Sequence, residues 1–207
     1  MNQGSTSKRP GGRTAQVTER IHRAVTEVLL EGGARACTFK AVAERAGVER
    51  STLYRRYSDI WDMMLDSMMI RAGEDVVPDL GASFPDDLTS VLRKLAGLLE
   101  TPLGPTVVLV AAELRAHSRN DFSRAFFDRR MEQLDPMFDA AIARGELPAQ
   151  VDREAVFTAA AGPIYFRMFI AARGVDDEYI ATIVSSICWL YCSPSVAGKL
   201  SLPARLA

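Results

Sequence analysis

Apolar residues recur along most of this chain at intervals of three and four, which is the spacing of one face of an α-helix. The clearest short stripe consists of Phe39, Val42, Ala43 and Ala46. Thr38 stands before this stripe, where its hydroxyl can accept a hydrogen bond from a free backbone N–H. Gly47 follows the stripe, where glycine adopts the left-handed conformation that closes a helix. The pattern therefore predicts a short helix that ends in a tight turn.

A second short helix is predicted from about Arg50 to Tyr57. At about 100° per residue, Leu53 and Tyr57 share one face, which we expect to pack inward. Ser51 and Arg55 lie on the opposite face. Two short helices joined by a turn of three or four residues that contains glycine form a helix-turn-helix motif.

The outward side chains of this second helix are suited to a DNA major groove. Arg55 can pair with two acceptors on a guanine edge, whereas the hydroxyls and the flanking arginines can contact phosphates. The predicted DNA contacts are Thr38, Lys40, Arg50, Ser51, Thr52, Tyr54, Arg55 and Arg56. The alternative is a solvated basic helix that only packs on its neighbour. Because the cap, the turn and the polar face occur together, the sequence favours DNA binding.

The remaining pattern predicts helices almost throughout, with no useful alternating strand pattern and no internal repeat, so we expect an all-α fold. We predict a flexible basic arm over residues 1–13, a three-helix DNA-binding domain over 14–58 and a helical body over 59–207. The arm either reaches DNA or is a tail without function. Further helices are predicted at about 59–77, 86–99, 106–117, 121–144, 152–172 and 176–192, with kinks at Pro136 and near Gly162-Pro163.

Charge distinguishes the two parts of the chain. Residues 1–58 hold 11 Lys and Arg against 5 Asp and Glu, whereas residues 59–207 hold 14 against 21. A basic head joined to an acidic body indicates a nucleic-acid partner for the head. With 207 residues and 48% hydrophobic content, the chain can bury a core of one or two domains.

The sequence offers little support for other classes of protein. No run of about 18 apolar residues and no signal peptide is found, so we expect a cytoplasmic protein without a membrane partner. The three cysteines Cys37, Cys188 and Cys192 suit buried thiols better than a disulfide framework. Only two histidines are present, and His22 either supports the DNA-binding head or is exposed. We predict no enzyme activity, no cofactor and no metal site.

The N-terminal quarter resembles the DNA-binding domain of the tetracycline repressor (TetR) family. The residues that carry this resemblance are Thr38, Val42-Ala43, Ala46-Gly47-Val48, Thr52-Leu53-Tyr54 and Tyr57. The stretch from Ala141 to Met168 is similar to C-terminal domains of many actinobacterial-type members. Two positions depart from the family pattern: Ile60 replaces a phosphate-binding lysine near the start of helix 4, and Arg56 replaces a His or aromatic residue. The DNA sequence that this chain reads cannot therefore be borrowed from relatives.

The resemblance implies a homodimer that binds a double-stranded operator and is released from it by a small-molecule effector, as a repressor. In this mechanism the ligand moves helix 4 and so changes the spacing of the two recognition helices. The alternative is a DNA-binding regulator or architectural protein that has no small-molecule ligand and is controlled by a protein partner. The large helical body favours sensing over bare DNA binding.

Two sets of residues follow from the implied mechanism. The candidate effector pocket consists of Trp61, Met64, Met68, His117, Phe126, Tyr165 and Phe169. The candidate dimer interface consists of Ala159, Gly162, Ile183, Ile187 and Trp189, in the last two helices. The alternative for both sets is ordinary intramolecular core, and His117 also suits an exposed site near a helix C-terminus.

Overall fold

The structure is a computed structural model that describes residues 11–73, 76–116 and 120–198. Within these ranges the chain is helical and contains no β-strand, which confirms the predicted all-α class. The N-terminal helices are α1 (Gly11–Ala36), α2 (Phe39–Ala46), α3 (Arg50–Tyr54) and α4 (Ile60–Gly73). The later helices are α5 (Phe84–Glu100), α6 (Leu103–Ala116), α7 (Asn120–Ala143), α8 (Arg153–Tyr165), α9 (Asp177–Tyr191) and α10 (Pro194–Ala197). A π-helical turn, Phe166–Ile170, directly follows α8.

The chain divides into two compact units, Met1–Arg71 and Ala72–Ala207. The division falls near the end of α4 rather than after Ser58, so α4 groups with the other N-terminal helices, which form the head. A physical reason is visible in the head, because Asp66 of α4 hydrogen-bonds to both His22 of α1 and Tyr57. The predicted basic arm lies mostly outside the described residues, and α1 begins at Gly11 rather than at Thr14.

Side-chain caps are present at the start of several helices, including the predicted cap at Thr38. The hydroxyl of Thr38 accepts from the Ala41 N–H at 3.1 Å, and the carboxylate of Asp59 accepts from the Asp62 N–H at 2.8 Å. Asp152 and Asp176 cap α8 and α9 in the same way. The start of α5 was predicted too late, because Ser83 is its cap and Phe84 its first residue.

The ends of α1 and α3 have irregular geometry. The regular geometry of α1 breaks at Gly33, whose φ of 67° and ψ of −170° are not helical. Helix α3 was predicted to reach Tyr57 but ends at Tyr54. Beyond that point the Arg56 N–H bonds to the Leu53 carbonyl three residues back, which is the tighter geometry typical of a last turn.

The C-terminal unit is built around one apolar core that includes residues of α5, α7, α8 and α9. The rings of Phe84 and Phe138 lie 6.0 Å apart at its centre, and both side chains are fully buried. Helix α6 contains the apolar run Val107–Ala112, a composition that favours a central position. Val110 is buried, but Leu109 is 67% exposed, because α6 is covered on one side only by its neighbours α5 and α7.

The kink predicted near Gly162-Pro163 is replaced by a change of helix type at the end of α8. Pro163 lies inside α8, and the helix continues through it to Tyr165 before widening into the π-helical turn. A proline removes one N–H from the helical ladder, and wider turns are one way in which a helix accommodates such a loss. Two exposed apolar side chains, Phe166 and Ile170, lie on this turn.

Two expectations from composition can be compared with the described residues. Among them, no single helix is both long and apolar enough to cross a membrane. Within the described residues, α5 and part of α6 would together be long and apolar enough, but a bend of 85° separates them. Cys37 and Cys188 are buried as predicted, whereas Cys192 is only half-buried. Burial raises the pKa of the Cys37 thiol to about 12, so this thiol is unreactive at neutral pH.

Candidate nucleic-acid interface

The turn between α2 and α3 is closed by Gly47, which has a φ of 61° and a ψ of 45°. The N–H groups of Gly47 and Val48 bond to the carbonyls of Glu44 and Ala43 at 3.4 and 3.0 Å. A Cβ atom at position 47 would meet only Arg20 Nη1, at an ordinary 3.8 Å. The requirement for glycine here therefore comes from the backbone conformation rather than from crowding.

Replacing Gly47 with valine is expected to lower the free energy of unfolding of the head by about 1–2 kcal/mol, because L-residues are strained in the left-handed region and β-branched ones most of all. Urea unfolding followed by circular dichroism measures this change. Gly47→Asn is the matched control, since asparagine tolerates this conformation. Equal stabilities of the two variants would contradict the explanation.

Helix α3 is fixed by the side chains on its inner face. Leu53 is fully buried and Tyr57 is 8% exposed, as the spacing predicted. On the side of the helix, the rings of Tyr54 and Phe39 pack with their centroids 4.5 Å apart. Tyr54 remains 62% exposed, so its ring is held beside α2 while most of the side chain is accessible from solvent.

The outer face of α3, together with Arg55 directly after it, carries most of the side chains that are predicted to contact DNA. Arg50, Ser51, Tyr54 and Arg55 are exposed, and Thr52 is half-buried. Lys40, in the first turn of α2, is exposed as well. Within the part of the chain that the structure describes, neither Lys40 nor Arg50 nor Arg55 forms an ion pair. Their positive charges are therefore available to phosphates or base edges.

Two other predicted contacts also have roles inside the head. The Thr38 oxygen accepts the capping hydrogen bond of α2, which leaves its hydroxyl proton for another acceptor. The Arg56 guanidinium donates to the hydroxyl of Thr18 on α1, so part of its bonding capacity joins α3 to α1. Whether either residue touches DNA stays a prediction.

Several residues that position this surface were not found from the sequence. Arg45 at the end of α2 pairs with Glu31 at 2.6 Å and with Glu27 at 3.3 Å, both on α1. The hydrogen bond from Arg45 lowers the pKa of the Glu31 carboxyl. Arg20 of α1 donates to the Gly47 carbonyl at 3.5 Å, which places a further cation beside the turn. A search for basic residues spaced along the exposed side of α1 would have suggested Arg20.

Glu49 is an unexpected residue at the start of α3. It occupies the N-cap position, but its side chain makes no capping hydrogen bond and is exposed. A free carboxylate beside Arg50 repels phosphates, while it can accept from a cytosine amino group in the major groove. We therefore expect Glu49 to weaken binding to DNA in general and to favour a particular base.

Replacing Glu49 with glutamine is expected to raise the affinity for non-specific DNA about two- to fivefold, because a local negative charge is removed. Helix α3 should be unaffected, since neither side chain caps it. Fluorescence anisotropy on random-sequence duplexes at several salt concentrations measures the change. Glu154→Gln, an exposed residue of α8, makes the same change in net charge far along the chain and serves as the control. An equal gain in both variants would show that Glu49 has no local effect.

The predicted effector-pocket residues fall in both units of the chain. On α4, Met64 is fully buried, Met68 is 2% exposed and Trp61 is half-buried. In the C-terminal unit, Phe126 is half-buried, while the half-buried Tyr165 and Phe169 pack with ring centroids 6.2 Å apart. His117 lies outside the described residues. The assignment of this set to a pocket stays a prediction.

The C-terminal unit contains a buried charge that the sequence did not reveal. Arg130 of α7 is 5% exposed, and its guanidinium donates to the Gln133 side chain at 3.2 Å. Burial lowers the pKa of Arg130 and raises the pKa of Tyr165, and the Arg130 charge opposes the second of these shifts. A cation and a phenol thus lie near each other in mostly apolar surroundings.

The predicted dimer-interface residues separate into two groups. Ala159, Gly162 and Trp189 are exposed, and Trp189 retains 65% of its surface. Ile183 and Ile187, in contrast, are 6% and 3% exposed and belong to the apolar core of the unit. These two isoleucines lie on the inner face of α9, which packs on α5 and α8, while the assignment of the set to a dimer interface stays a prediction.

Comparison with known proteins places both parts of the chain in one family. Residues 21–65 match the model of bacterial regulatory proteins of the tetR family, and residues 77–187 match that of the tetracyclin repressor-like C-terminal domain. The uncharacterized HTH-type transcriptional regulator YdeS of Bacillus subtilis is 30% identical over 181 residues, which cover 86% of this chain and 91% of that protein. The DNA-binding transcriptional repressor TetR of Mycobacteroides abscessus is 24% identical over 172 residues, which cover 81% and 90%.

Solved structures show the same fold. The TetR family transcription regulator SCO0332 has a TM-score of 0.68 at 22% identity and covers 84% of this chain and 97% of its own. The flavonoid-responsive regulator FrrA has a TM-score of 0.63 at 18% identity and covers 87% and 98%. Together with the helix-turn-helix geometry, the two family models and the relative of 30% identity establish what the chain is. It belongs to the TetR family of DNA-binding transcriptional regulators, which are not enzymes.

Proposed function

We propose that this regulator is a homodimeric repressor that a small molecule releases from its operator. The observation that supports DNA binding is the outer surface of α3 and its C-terminal end. Ser51, Tyr54 and Arg55 are exposed there, while Leu53 is buried on the opposite side and holds the helix in place. The exposed Lys40 can supply the phosphate contact that Ile60 cannot make.

The side chains on and around α3 have two proposed roles, which are reading bases and contacting phosphates. Arg55 is the base-reading residue, because a guanidinium can bond both acceptors of a guanine edge. Tyr54, Ser51 and Thr52 donate to phosphate oxygens and fix the position of the helix without reading sequence. Arg50 and Lys40 supply charge to the backbone, and their contribution falls as salt rises.

The dimer is supported by exposed apolar side chains on two neighbouring elements. Phe166 and Ile170 of the π-helical turn are 63% and 71% exposed, and Trp189 and Leu190 of α9 are 65% and 61% exposed. Side chains of this size seldom remain in water together unless a partner covers them. The exposed Ala159 and Gly162 of α8 permit close approach of a second backbone. This region of a second copy is therefore the proposed partner.

The effector-responsive part is supported by the C-terminal unit and by relatives. The size of the unit exceeds what DNA binding needs, and Tyr165, Phe169 and Arg130 combine aromatic surface with a buried cation. One solved relative is named as flavonoid-responsive, and one curated relative is named as a repressor. We place the effector site of this chain within the C-terminal unit, near these residues, and we place the regulator inside the cell, where its operator is.

The test is selection of bound duplexes from a random pool, followed by a screen for compounds that release the selected operator. The proposal predicts a two-fold symmetric sequence and at least one small molecule that both releases DNA and raises the melting temperature of the protein. Selection of a symmetric operator with no compound that acts would favour the alternative of control by a protein partner. Failure to enrich any sequence would refute the proposed operator binding.

A further inference from the structure

Three polar side chains that are distant in sequence meet inside the DNA-binding head. His22 Nε2 of α1 lies 3.0 Å from Asp66 Oδ2 of α4 and 3.3 Å from the hydroxyl oxygen of Tyr57. The Tyr57 hydroxyl donates to the same Asp66 oxygen at 3.1 Å. His22 is 1% exposed and Tyr57 is 8% exposed. We call these three residues the His22–Tyr57–Asp66 cluster.

The hydrogen bonds of the cluster determine where its protons lie. Burial, and then the negative charge of Asp66, raise the pKa of the Tyr57 phenol above its ordinary value, so the phenol stays protonated and donates. The carboxylate of Asp66 can only accept, so the bond from His22 requires a proton on Nε2. Asp66 therefore accepts from two buried donors that belong to different elements.

The cluster lies at the base of the recognition helix. The backbone N–H of Tyr57 donates to the Leu53 carbonyl at 3.0 Å. The position of Tyr57 is therefore linked directly to the orientation of α3. Helix α3 has only five residues and lacks a side-chain cap at its start. So short a helix has little stability of its own and takes its orientation from the contacts around it.

We propose that His22 and Asp66 are positioning residues for DNA recognition, which act through Tyr57 to hold α3 at the angle that its outer face needs. A polar cluster of this kind specifies geometry more sharply than apolar packing, because each hydrogen bond weakens when its distance or its angle departs from a narrow range. Neither residue touches DNA. The inference rests on the proposed role of α3 as the groove-reading helix.

The experiment compares His22→Ala, His22→Gln and Tyr57→Phe with wild type on the selected operator and on random duplex. Val25→Ala is the control, because Val25 is fully buried on α1 and only apolar atoms are lost. We expect His22→Ala and Tyr57→Phe to weaken operator binding about tenfold, the effect of losing one hydrogen bond to a charged group. Binding to random duplex should change less, because phosphate contacts tolerate misorientation of α3 better than base contacts.

His22→Gln should restore most of the affinity, since the glutamine amide can place an N–H near the position of Nε2. Urea unfolding is measured in parallel, and all affinities are taken at a temperature at which each variant is folded. Loss of operator affinity in Val25→Ala equal to that in His22→Ala would overturn the proposal, as would a glutamine variant no better than alanine. If His22→Ala does not fold, Tyr57→Phe and His22→Gln decide the outcome. Failure of wild type to bind any selected operator would refute the proposed function instead.

Discussion

The double variant Ile170→Glu, Trp189→Glu is expected to be a folded monomer that binds the full operator about 10²- to 10⁴-fold more weakly than wild type. When two heads are linked, binding of the second head to its half-site is intramolecular and gains the effective concentration that the linkage provides. Glutamates at two proposed contact points bury charge against apolar surface and prevent this linkage. Both native side chains are more than half exposed, so folding of the single chain should be little affected.

Light scattering combined with size-exclusion chromatography gives the mass of each variant, and fluorescence anisotropy gives its affinity for a full operator and for a half-site. Leu109→Glu is the matched control, since Leu109 of α6 is 67% exposed but lies outside the proposed interface. The control should remain a dimer, and the double variant should keep the half-site affinity of a single head. A double variant that stays dimeric would place the interface elsewhere.

Local sequence predicted the DNA-binding head well because its determinants are local. The capping hydroxyl of Thr38, the left-handed Gly47 and the inward Leu53 each act within a few residues of their own position. The family models confirm the class of protein that these features indicated. The contacts to DNA themselves remain predictions, although the exposed face of α3 supports them.

The features that sequence reasoning missed depend on long-range packing. His22 is 44 positions from Asp66, and neither residue belongs to a recognisable motif. On α9, apolar residues occupy most faces, so periodicity could not decide that Ile183 and Ile187 face the core while Trp189 faces outward. The packing of α5 and α8 against α9 decides it. Likewise, the apolar run Val107–Ala112 of α6 does not by itself reveal that Leu109 is exposed while Val110 is buried.

Replacing Arg55 with alanine is expected to reduce operator affinity by about 1–3 kcal/mol and to relax the choice of base at one position in each half-site. The physical reason is that a bidentate pair between a guanidinium and guanine discriminates among bases, whereas a phosphate contact does not. Arg55→Lys should restore charge but little of the discrimination, because an ammonium cannot form the paired hydrogen bonds.

Arg50→Ala is a closely matched control, since Arg50 is exposed like Arg55, is the first residue of α3, which Arg55 directly follows, and its replacement removes the same charge. We expect this variant to bind all sequences more weakly by a similar factor. The slope of the logarithm of its binding constant against the logarithm of salt concentration should become shallower by about one. Tyr54→Phe should also weaken binding evenly, because its hydroxyl is predicted to contact phosphate. Selection from a random pool, repeated with each variant, measures these preferences. Arg55→Ala could instead select the same operator as wild type, with only a uniform loss of affinity. Arg55 would then contact phosphate, and a different residue would read the bases. Glu49, at the start of the helix, would be the next charged candidate.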